Sequence, residues 1–287
     1  MVVAVYTQKS DSGTQKYLER FFTLLNEKSV EILLFSGCEN LMGTKKNCTT
    51  FSNKEDLKKH KVAYFFTFGG DGTLVNSLLF VQDTGIPVVG VNMGRLGFLA
   101  SFTKEEILTK IDDLLTESPR ICKRNVIEVI SPGGLFFPYA LNDITISRKE
   151  TTSMISVESY IDGEFLNVFW GDGLIISSPT GSTAYSMSCG GPIISPSSKN
   201  FVITPIAPHN LNVRPLVLDN SVEIRLKIHS RVPQYTLSLD SRLIHLDTQV
   251  EIVLKNAGFD LSLVQPKSLS FFQTLRKKLL WGQDQRN

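Results

Sequence analysis

The pattern of apolar residues changes near Pro119, and this change constrains the fold of the 287-residue chain more than any other feature. Before that point, short β-branched and aromatic runs alternate with stretches whose apolar residues recur at helical spacing. Strands that alternate with helices form a mostly parallel sheet with helices on both faces. Residues 1–118 are therefore predicted to form an α/β domain.

The chain after Pro119 has a different rhythm. Strand-like segments separated by turn signals predict an antiparallel, sandwich-like β domain over residues 119–265. Within it, Asp162-Gly163 predicts a tight hairpin. Residues 266–287 return to helical periodicity with one polar face, so we expect a C-terminal helical tail that packs back onto a domain.

Composition excludes some classes of protein. Apolar residues make up 42% of the chain and charged residues 20%, which is typical of a globular protein. The net charge of +2 gives no reason to expect nucleic acid or a membrane surface as a partner. Cys38, Cys48, Cys122 and Cys189 are scattered, as reduced thiols are, and the start lacks the pattern of a signal peptide. A cytoplasmic location is predicted.

The stretch FTFGGDGTLV, residues 66–75, predicts a buried strand, a glycine-rich turn and a helix. Ligands bind at the carboxyl ends of the strands in such sheets, and Asp71 would lie there. The glycines would permit positive φ and close approach of another molecule, and the helix start would favour an anion. The alternative is a tight turn in which Asp71 accepts local backbone N–H bonds and Thr73 caps the helix.

A second glycine- and hydroxyl-rich run extends from Gly171 to Ile193. It predicts either a polar surface that grips a ribose, an amide or a phosphate, or a loop whose Ser and Thr residues cap a helix. Asn142-Asp143, read alone, predicts a turn. The chain contains no GxxxxGK[ST], no GxGxxG after its first strand, no GxSxG and no residues at metal-ligand spacing.

Taken together, the segments resemble those of bacterial NAD kinases. GGDGT at 69–73, NMGRLGFLA at 92–100, LND at 141–143 and the run DGLIISSPTGSTAYSMSCGGPI at 172–193 match the family in order and rough spacing, and the similarity spans nearly the whole chain. The first motif is shared with diacylglycerol, sphingosine and 6-phosphofructo-kinases, whereas the long run is specific. The resemblance implies an α/β domain, a β-rich domain, a site between them, and a homodimer or homotetramer.

The resemblance also implies roles for particular residues. Asp71 would be the base that takes the proton from the adenosine 2′-hydroxyl of NAD, with ATP or another phosphoryl donor and Mg²⁺. NAD would be bound by Asp71, Gly72, Asn142, Asp143, Asp172, Thr183, Ala184, Tyr185, Ser186, Met187 and Ser188. Further contacts to phosphates or ligand would come from Gly69, Gly70, Thr73, Asn76, Phe98 and Ser153, and no residue is identified as a direct metal ligand.

The chain departs from the family pattern at a few positions. Asn76 stands where many members have Arg, Lys or His, Trp170 stands where some have a polar or basic residue, and Arg242 stands where others have Asp-Gly-Gln. The turn holds no Lys or Arg, so Mg²⁺ and backbone dipoles would stabilise much of the phosphate charge. A lipid kinase built on the same turn and a non-catalytic NAD(P)-binding regulator are the alternatives.

Overall fold

The structure is a computed structural model, and it describes residues 1–9, 11–38, 49–94, 96–149, 153–267 and 269–282. The chain forms two compact units. The first comprises Met1–Lys123 with Leu261–Asn287, and the second comprises Arg124–Asp260. The domain limits predicted from the sequence, at residues 118 and 265, stay predictions.

The first unit is built on a parallel sheet. In chain order its elements are β1 Val2–Thr7, α1 Ser12–Glu27, β2 Glu31–Phe35, β3 Thr49–Phe51, α2 Lys54–Lys59, β4 Val62–Gly69, α3 Asp71–Asn76, α4 Leu78–Val81, β5 Val88–Asn92, β6 Phe102–Thr103 and α5 Lys104–Thr116. The strands lie in the order β3-β2-β1-β4-β5, and every neighbouring pair is parallel. The predicted α/β fold with a mostly parallel sheet is confirmed.

Helices cover both faces of this sheet. On one face, Leu18 and Phe21 of α1 and Ile107 of α5 are buried in one cluster with Phe66 of β4. On the other face, the ring centroid of Phe80 in α4 lies 5.1 Å from that of Tyr6 and 6.1 Å from that of Phe65. Both faces of the strands are therefore apolar, which explains why these strands read as continuous apolar runs.

Side chains define where the two longest helices of this unit begin. Asp11 accepts hydrogen bonds from the N–H groups of Gly13 and Thr14 at the start of α1. Thr103 and Glu106 form a reciprocal capping box at the start of α5, as their spacing predicts. Each such cap stabilises a helix by about 1 kcal/mol.

The second unit is antiparallel. Its elements, with the strands that enter it from the first unit, are β7 Arg120–Ser131, β8 Tyr139–Ala140, β9 Asp143–Arg148, β10 Ile155–Ile161, β11 Glu164–Gly171, β12 Gly173–Ser177, α6 Tyr185–Ser188, β13 Asn200–Ile206, β14 Leu216–Asp219, β15 Ile224–His229, β16 Gln234–Leu239, β17 Arg242–Asp247 and β18 Ile252–Gln265. One sheet has the order β14-β13-β12-β9-β16-β17, and a second set of strands has the order β11-β10-β15-β18, with β7 pairing with both β18 and β8. Ile144 and Leu174 of the first set share one buried core with Val157 and Leu226 of the second. The sandwich-like prediction is confirmed.

The predicted hairpin at Asp162-Gly163 is also confirmed. It joins β10 to β11, and Asp162 and Gly163 have φ of 49° and 83°. Positive φ at both turn residues is the geometry that favours Asp-Gly. The carboxylate of Asp162 accepts a hydrogen bond from the N–H of Glu223 at 2.8 Å, which ties the turn to the rest of the unit.

The C-terminal tail forms helix α7, Phe271–Leu279, and belongs to the first unit. Ser270 and Gln273 form its capping box, and Thr274 and Leu275 are buried. Within the described ranges, no helix is both long and apolar enough to cross a membrane. Cys38, Cys122 and Cys189 are free thiols, and Cys48 lies outside the described residues.

Candidate active site

The glycine-rich turn lies at the carboxyl end of β4, where the sequence predicts it. Gly70 has an extended backbone with φ −106° and ψ −166°, and α3 begins at Asp71. Gly69, Gly70 and Gly72, all described, have no positive φ, so the turn does not use the positive φ that glycine permits. A Cβ at Gly69 would overlap the side chain of Thr73, whereas a Cβ at Gly70 or Gly72 would meet nothing within 4 Å. The last two glycines therefore leave the surface beside Asp71 open.

Thr73 does not cap the helix. The N-cap residue is Gly70, and the Thr73 hydroxyl donates instead to the side-chain oxygen of Gln8 at 3.2 Å. Thr7 donates a hydrogen bond to the carbonyl oxygen of Phe68 at 2.7 Å. The end of β1 is thus bonded to β4, and Gln8, the next residue, is bonded to α3. The alternative in which Thr73 caps α3 is wrong.

The carboxylate of Asp71 accepts three backbone hydrogen bonds from one distant segment. The N–H of Phe98 donates to Oδ2 at 2.7 Å, and those of Leu99 and Ala100 donate to Oδ1 at 3.0 Å each. The donors are 27 to 29 residues away along the chain. The alternative in which Asp71 closes a local turn is therefore wrong.

This arrangement leaves room for one more partner on Asp71. An ionised carboxylate has about four acceptor positions, two on each oxygen. Oδ1 already accepts two hydrogen bonds and Oδ2 accepts one. The remaining acceptor position is therefore on Oδ2, and Asp71 itself is only half-buried.

Two further residues in the first unit lie close to this turn. Asn76 is half-buried and is the last residue of α3, which is only six residues long. Phe98 is half-buried, and the ammonium of Lys278 in α7 lies 5.8 Å from the centroid of its ring. Lys278 is thus a cation beside the segment that holds Asp71. Sequence reasoning missed it because the two residues are far apart in the chain.

In the second unit, Asn142 and Asp143 are held by Asp240. The Asp240 carboxylate accepts hydrogen bonds from the N–H groups of Leu141 at 2.5 Å, Asn142 at 2.7 Å and Asp143 at 3.2 Å. Asp240 was not predicted. Its signal was weak, because Asp240 and Ser241 form a two-residue turn between β16 and β17 with an Asp-Ser pair in place of the usual Asp-Gly.

Burial raises the pKa of both carboxyl groups, that of Asp143 and that of Asp240. Burial, followed by the neighbouring Asp240 carboxylate, raises the pKa of Asp143 to about 6, while a hydrogen bond from Thr145 at 3.0 Å acts in the opposite direction. Burial also raises the pKa of Asp240. Asp143 therefore titrates close to neutral pH, unlike an exposed Asp.

Arg242 supports the same region from the first position after the turn. Its guanidinium donates a hydrogen bond to the carbonyl oxygen of Tyr139, and its carbon lies 4.9 Å from the ring centroid of Phe137. Burial lowers the pKa of Arg242, and the charge of Asp240 acts against that shift. The Arg that departs from the family pattern is therefore a packed side chain close to Asp240.

The loop after β12 lies directly on Asn142. The Ser178 hydroxyl donates to the carbonyl oxygen of Leu141 at 2.5 Å, and the Ser178 N–H donates to that of Asn142 at 2.9 Å. A Cβ at Gly181 would overlap the carbonyl oxygen of Asn142. Glycine at 181 thus allows the two backbones to touch, which places the predicted residues 183–188 next to Asn142 and Asp143.

The predicted binding residues of this loop are in different environments. Thr183 donates to the carbonyl oxygen of Thr180 at 3.2 Å, and Ala184 and Met187 are half-buried. Ser186 is fully buried, and its hydroxyl lies 2.8 Å from that of Thr204. Tyr185 and Ser188 are exposed, Tyr185 by 47%. The side chains of Tyr185 and Ser188 are therefore accessible to a ligand, while the Ser186 hydroxyl is already paired.

Asp172 lies between β11 and β12 and is paired with Arg148, which was not predicted. The ion pair measures 3.0 Å, and the Arg148 N–H also donates to the Asp172 carbonyl oxygen at 3.0 Å. Burial raises the pKa of Tyr185, and Cys189, Asp143 and Asp172 raise it further. Within the second unit, Asp143 and Asp172 are therefore close enough to Tyr185 for their negative charges to raise the pKa of its hydroxyl.

Two positions named in the sequence analysis, Ser153 and Trp170, remain to be described. Ser153 is half-buried in a bend shortly before β10, and residues 150–152 lie outside the described residues, as does Arg95 of NMGRLGFLA. Trp170 is exposed, and its ring centroid lies 4.8 Å from that of His209. Throughout the part of the chain that the structure describes, no three His, Cys, Asp or Glu side chains converge to hold a metal.

Two family models match the chain. The ATP-NAD kinase N-terminal domain matches residues 7–118, and the ATP-NAD kinase C-terminal domain matches residues 141–262. Among solved structures, a yeast NADH kinase complexed with NADH has a TM-score of 0.89 at 26% identity and covers 100% of this chain and 89% of its own. An NAD kinase from Archaeoglobus fulgidus has a TM-score of 0.79 at 23% identity, with 98% and 99% covered, which shows the fold.

Curated relatives give the same result at higher identity. A protein of Christiangramia forsetii named NAD kinase is 41% identical over 295 residues, covering 100% of both chains. A Porphyromonas gingivalis protein of the same name is 38% identical and covers 98% of this chain and 92% of its own length. With these matches over its whole length, the chain belongs to the ATP-NAD kinase family.

Proposed function

We propose that this protein is an NAD kinase that transfers the terminal phosphoryl group of ATP to the adenosine 2′-hydroxyl of NAD, giving NADP and ADP. The family membership supports the reaction class, and the yeast neighbour was solved with NADH. The observation that carries the proposal is the Asp71 carboxylate, fixed by three backbone N–H groups beside an open glycine surface.

Asp71 is the proposed general base. The 2′-hydroxyl oxygen attacks the γ-phosphorus, the bond from that phosphorus to the bridging oxygen breaks, and ADP leaves with that oxygen. The hydroxyl proton passes to Oδ2 of Asp71, the oxygen that keeps an acceptor position. Gly70 and Gly72 carry no side chain that would block the approach of the ribose. Phosphoryl transfer asks the protein mainly for this kind of positioning.

The second unit would bind the dinucleotide. Asn142, Asp143, Asp172 and the segment from Thr183 to Ser188 are proposed to hold NAD. Among the described residues, none is a hydrogen-bond partner of the Asn142 side-chain amide, so this amide is free for a ligand. Because the Ser186 hydroxyl is paired with Thr204, a contribution from Ser186 would come from its backbone.

The phosphates would be met by the turn of the first unit. Gly69, Gly70, Thr73, Asn76 and Phe98 are proposed to lie near them, and Ser153 is a further proposed contact. Mg²⁺ would arrive with ATP as part of the substrate, since Mg²⁺ is usually bound by one or two protein oxygens together with phosphate oxygens. The metal would neutralise the charge that develops on the transferred group.

A homodimer or homotetramer and a cytoplasmic location are also inferred. The assembly is an inference from the resemblance to bacterial NAD kinases, and light scattering on the purified protein would test it. The location is inferred from the scattered cysteines, of which Cys38, Cys122 and Cys189 are free.

The direct test of the reaction is an enzymatic one. Purified protein is incubated with Mg-ATP and NAD, and an NADP-specific dehydrogenase reads the product. Parallel reactions replace ATP by other triphosphates or polyphosphate, NAD by NADH or diacylglycerol, and Mg²⁺ by EDTA. We expect NADP in the complete reaction and none with EDTA. Phosphorylated lipid, or stoichiometric NAD binding without turnover, would support the alternatives instead.

A further inference from the structure

Gly97 lies directly against the carboxylate of Asp71. A Cβ built at Gly97 would overlap Oδ1 of Asp71, would be 2.5 Å from Cγ and would be 2.7 Å from Oδ2. These are its three nearest heavy atoms outside the neighbouring residues, and all belong to Asp71. Gly97 has no positive φ, so an Ala at this position would be unfavourable because of space and not because of backbone conformation.

The contact with Gly97 is part of how Asp71 is held. The three residues that follow Gly97 donate their N–H groups to the two carboxylate oxygens. The backbone can approach this closely only where no side chain intervenes. Asp71 could avoid a Cβ at Gly97 by rotating, but rotation would break hydrogen bonds to a charged acceptor, which are the stronger kind.

We propose that Gly97 is a positioning residue for the phosphoryl transfer: its missing side chain lets the segment 97–100 clamp the Asp71 carboxylate and leaves Oδ2 as the oxygen that receives the proton. This rests on the proposed function of Asp71 as the base. Gly97 has no side chain that could contact a substrate. It acts through the orientation of Asp71, and a misplacement of about 1 Å can cost about 10²-fold in rate.

The first experiment compares Gly97→Ala with Gly94→Ala. Gly94 lies in the same loop, also lacks positive φ, and a Cβ there would meet nothing within 4 Å. Gly97→Ala should lower kcat by about 10²-fold with KM for NAD within about threefold. Gly94→Ala should keep kcat near the wild-type value. A Gly97→Ala enzyme that keeps more than about a third of wild-type kcat would overturn the proposal.

The second experiment tests the contact without using activity. Asp71→Ala removes the three atoms that a Cβ at Gly97 would meet. Gly97→Ala should therefore lower the melting temperature of the wild type by about 5 °C or more, but change that of the Asp71→Ala variant by about 1 °C at most. If Gly97→Ala lowers the melting temperature equally in the two backgrounds, Gly97 stabilises only the conformation of its own loop, and the proposal is wrong.

A kinetic cycle separates positioning from catalysis by another group. In an Asp71→Asn background, Gly97→Ala should add less than about threefold to the loss of kcat, because the base is already missing. If the two substitutions instead lower kcat independently, so that the loss in the double variant is the product of the two single losses, the proposal is contradicted. If the wild-type protein makes no NADP at all, the proposed function fails, and the melting-temperature cycle still decides whether Gly97 positions Asp71.

Discussion

Asp240 lies beside Asp143 and, after burial itself, is the next cause that raises the pKa of the Asp143 carboxyl group, to about 6. The backbone N–H of Asp143 donates to Oδ1 of Asp240 at 3.2 Å, so the two side chains share one small buried region. Two carboxylates in such a place repel each other when both are ionised. The second unit therefore contains a titratable pair at the predicted NAD site.

The stability of the protein should fall as pH rises through the range of this titration. Between about pH 4 and 6, the folded state holds a proton on Asp143 that the unfolded state, with a pKa of 3.8, has released. Ionising the buried group costs the folded state on the order of 3 kcal/mol, so unfolding becomes easier up to about pH 6 and then levels off. Melting temperatures of the wild type measured from pH 4 to 8 would show this fall.

Asp143→Asn isolates that contribution. The variant cannot ionise at this position, so the fall in melting temperature with pH should become smaller. Asp240, whose pKa is also raised by burial, contributes to the part that remains. As a control, Asp219→Asn alters an exposed carboxyl group whose pKa is lowered by hydrogen bonds to Ser221. The control should retain the full fall. A fall of the same size in Asp143→Asn would contradict the prediction.

Ser241→Gly should stabilise the protein. Ser241 is the second residue of the turn between β16 and β17 and has φ of 72°, which costs a non-glycine residue about 1–2 kcal/mol. Glycine adopts this φ freely but loses more entropy on folding, so the net gain should be about 0.5–1 kcal/mol.

The measurement is chemical denaturation of Ser241→Gly with Ser238→Gly as the control. Ser238 lies within β16, opposite Leu243, where glycine weakens a strand. We expect the denaturation midpoint to rise for Ser241→Gly and to fall for Ser238→Gly. A lower midpoint for Ser241→Gly would mean that another interaction of the Ser241 side chain outweighs the strain.

Local features of the fold were readable from the sequence because each depends on a few adjacent residues. The Asp162-Gly163 hairpin and the Thr103–Glu106 capping box are examples, and the carboxyl-end position of Asp71 follows from one strand and its turn. In each case the residue types themselves carry the geometry.

The interactions that hold the site residues in place could not be predicted from the sequence, because the interacting groups are far apart in the chain and many are backbone groups. Asp71 is held by N–H groups 27 to 29 residues away, and any residue except Pro could supply them. Asp240 holds Asn142 across 98 residues of chain. Gly97 could be seen in NMGRLGFLA, but only the structure shows that its side-chain space is filled by Asp71.

Asn142→Ala should weaken NAD binding without destabilising the fold. The Asn142 N–H is held by Asp240, and this backbone contact survives the change, whereas no described residue pairs with the side-chain amide. Loss of the proposed hydrogen bonds to NAD should cost about 1–3 kcal/mol, which is about 5- to 150-fold in affinity. Calorimetric titration with NAD measures this.

A matched control is Asn125→Ala, which removes an amide that is paired with Asp260 at 3.3 Å in the same unit. It should leave NAD affinity unchanged and lower the melting temperature slightly. If Asn142→Ala binds NAD within about twofold of the wild type, Asn142 has no role in binding.

Asp71→Asn should remove most turnover, and the hydrogen bonds around Asp71 add a second expected effect. Asn cannot take the proton of the 2′-hydroxyl, so kcat should fall by about 10²–10⁴-fold. The amide oxygen can still accept from Leu99 and Ala100, but its nitrogen would then face the N–H of Phe98, where the carboxylate has an acceptor. We therefore also expect a lower melting temperature, from a loss of about 1–3 kcal/mol.

These two effects must be separated in one set of measurements. Turnover is measured well below the melting temperature of the variant, where the variant is fully folded. NAD affinity is measured calorimetrically at the same temperature. We expect NAD binding within several-fold of the wild type together with the large loss of kcat. If turnover stays above about a third of the wild-type value while the melting temperature falls, then Asp71 is a structural residue that ties α3 to the segment 98–100 and is not the base.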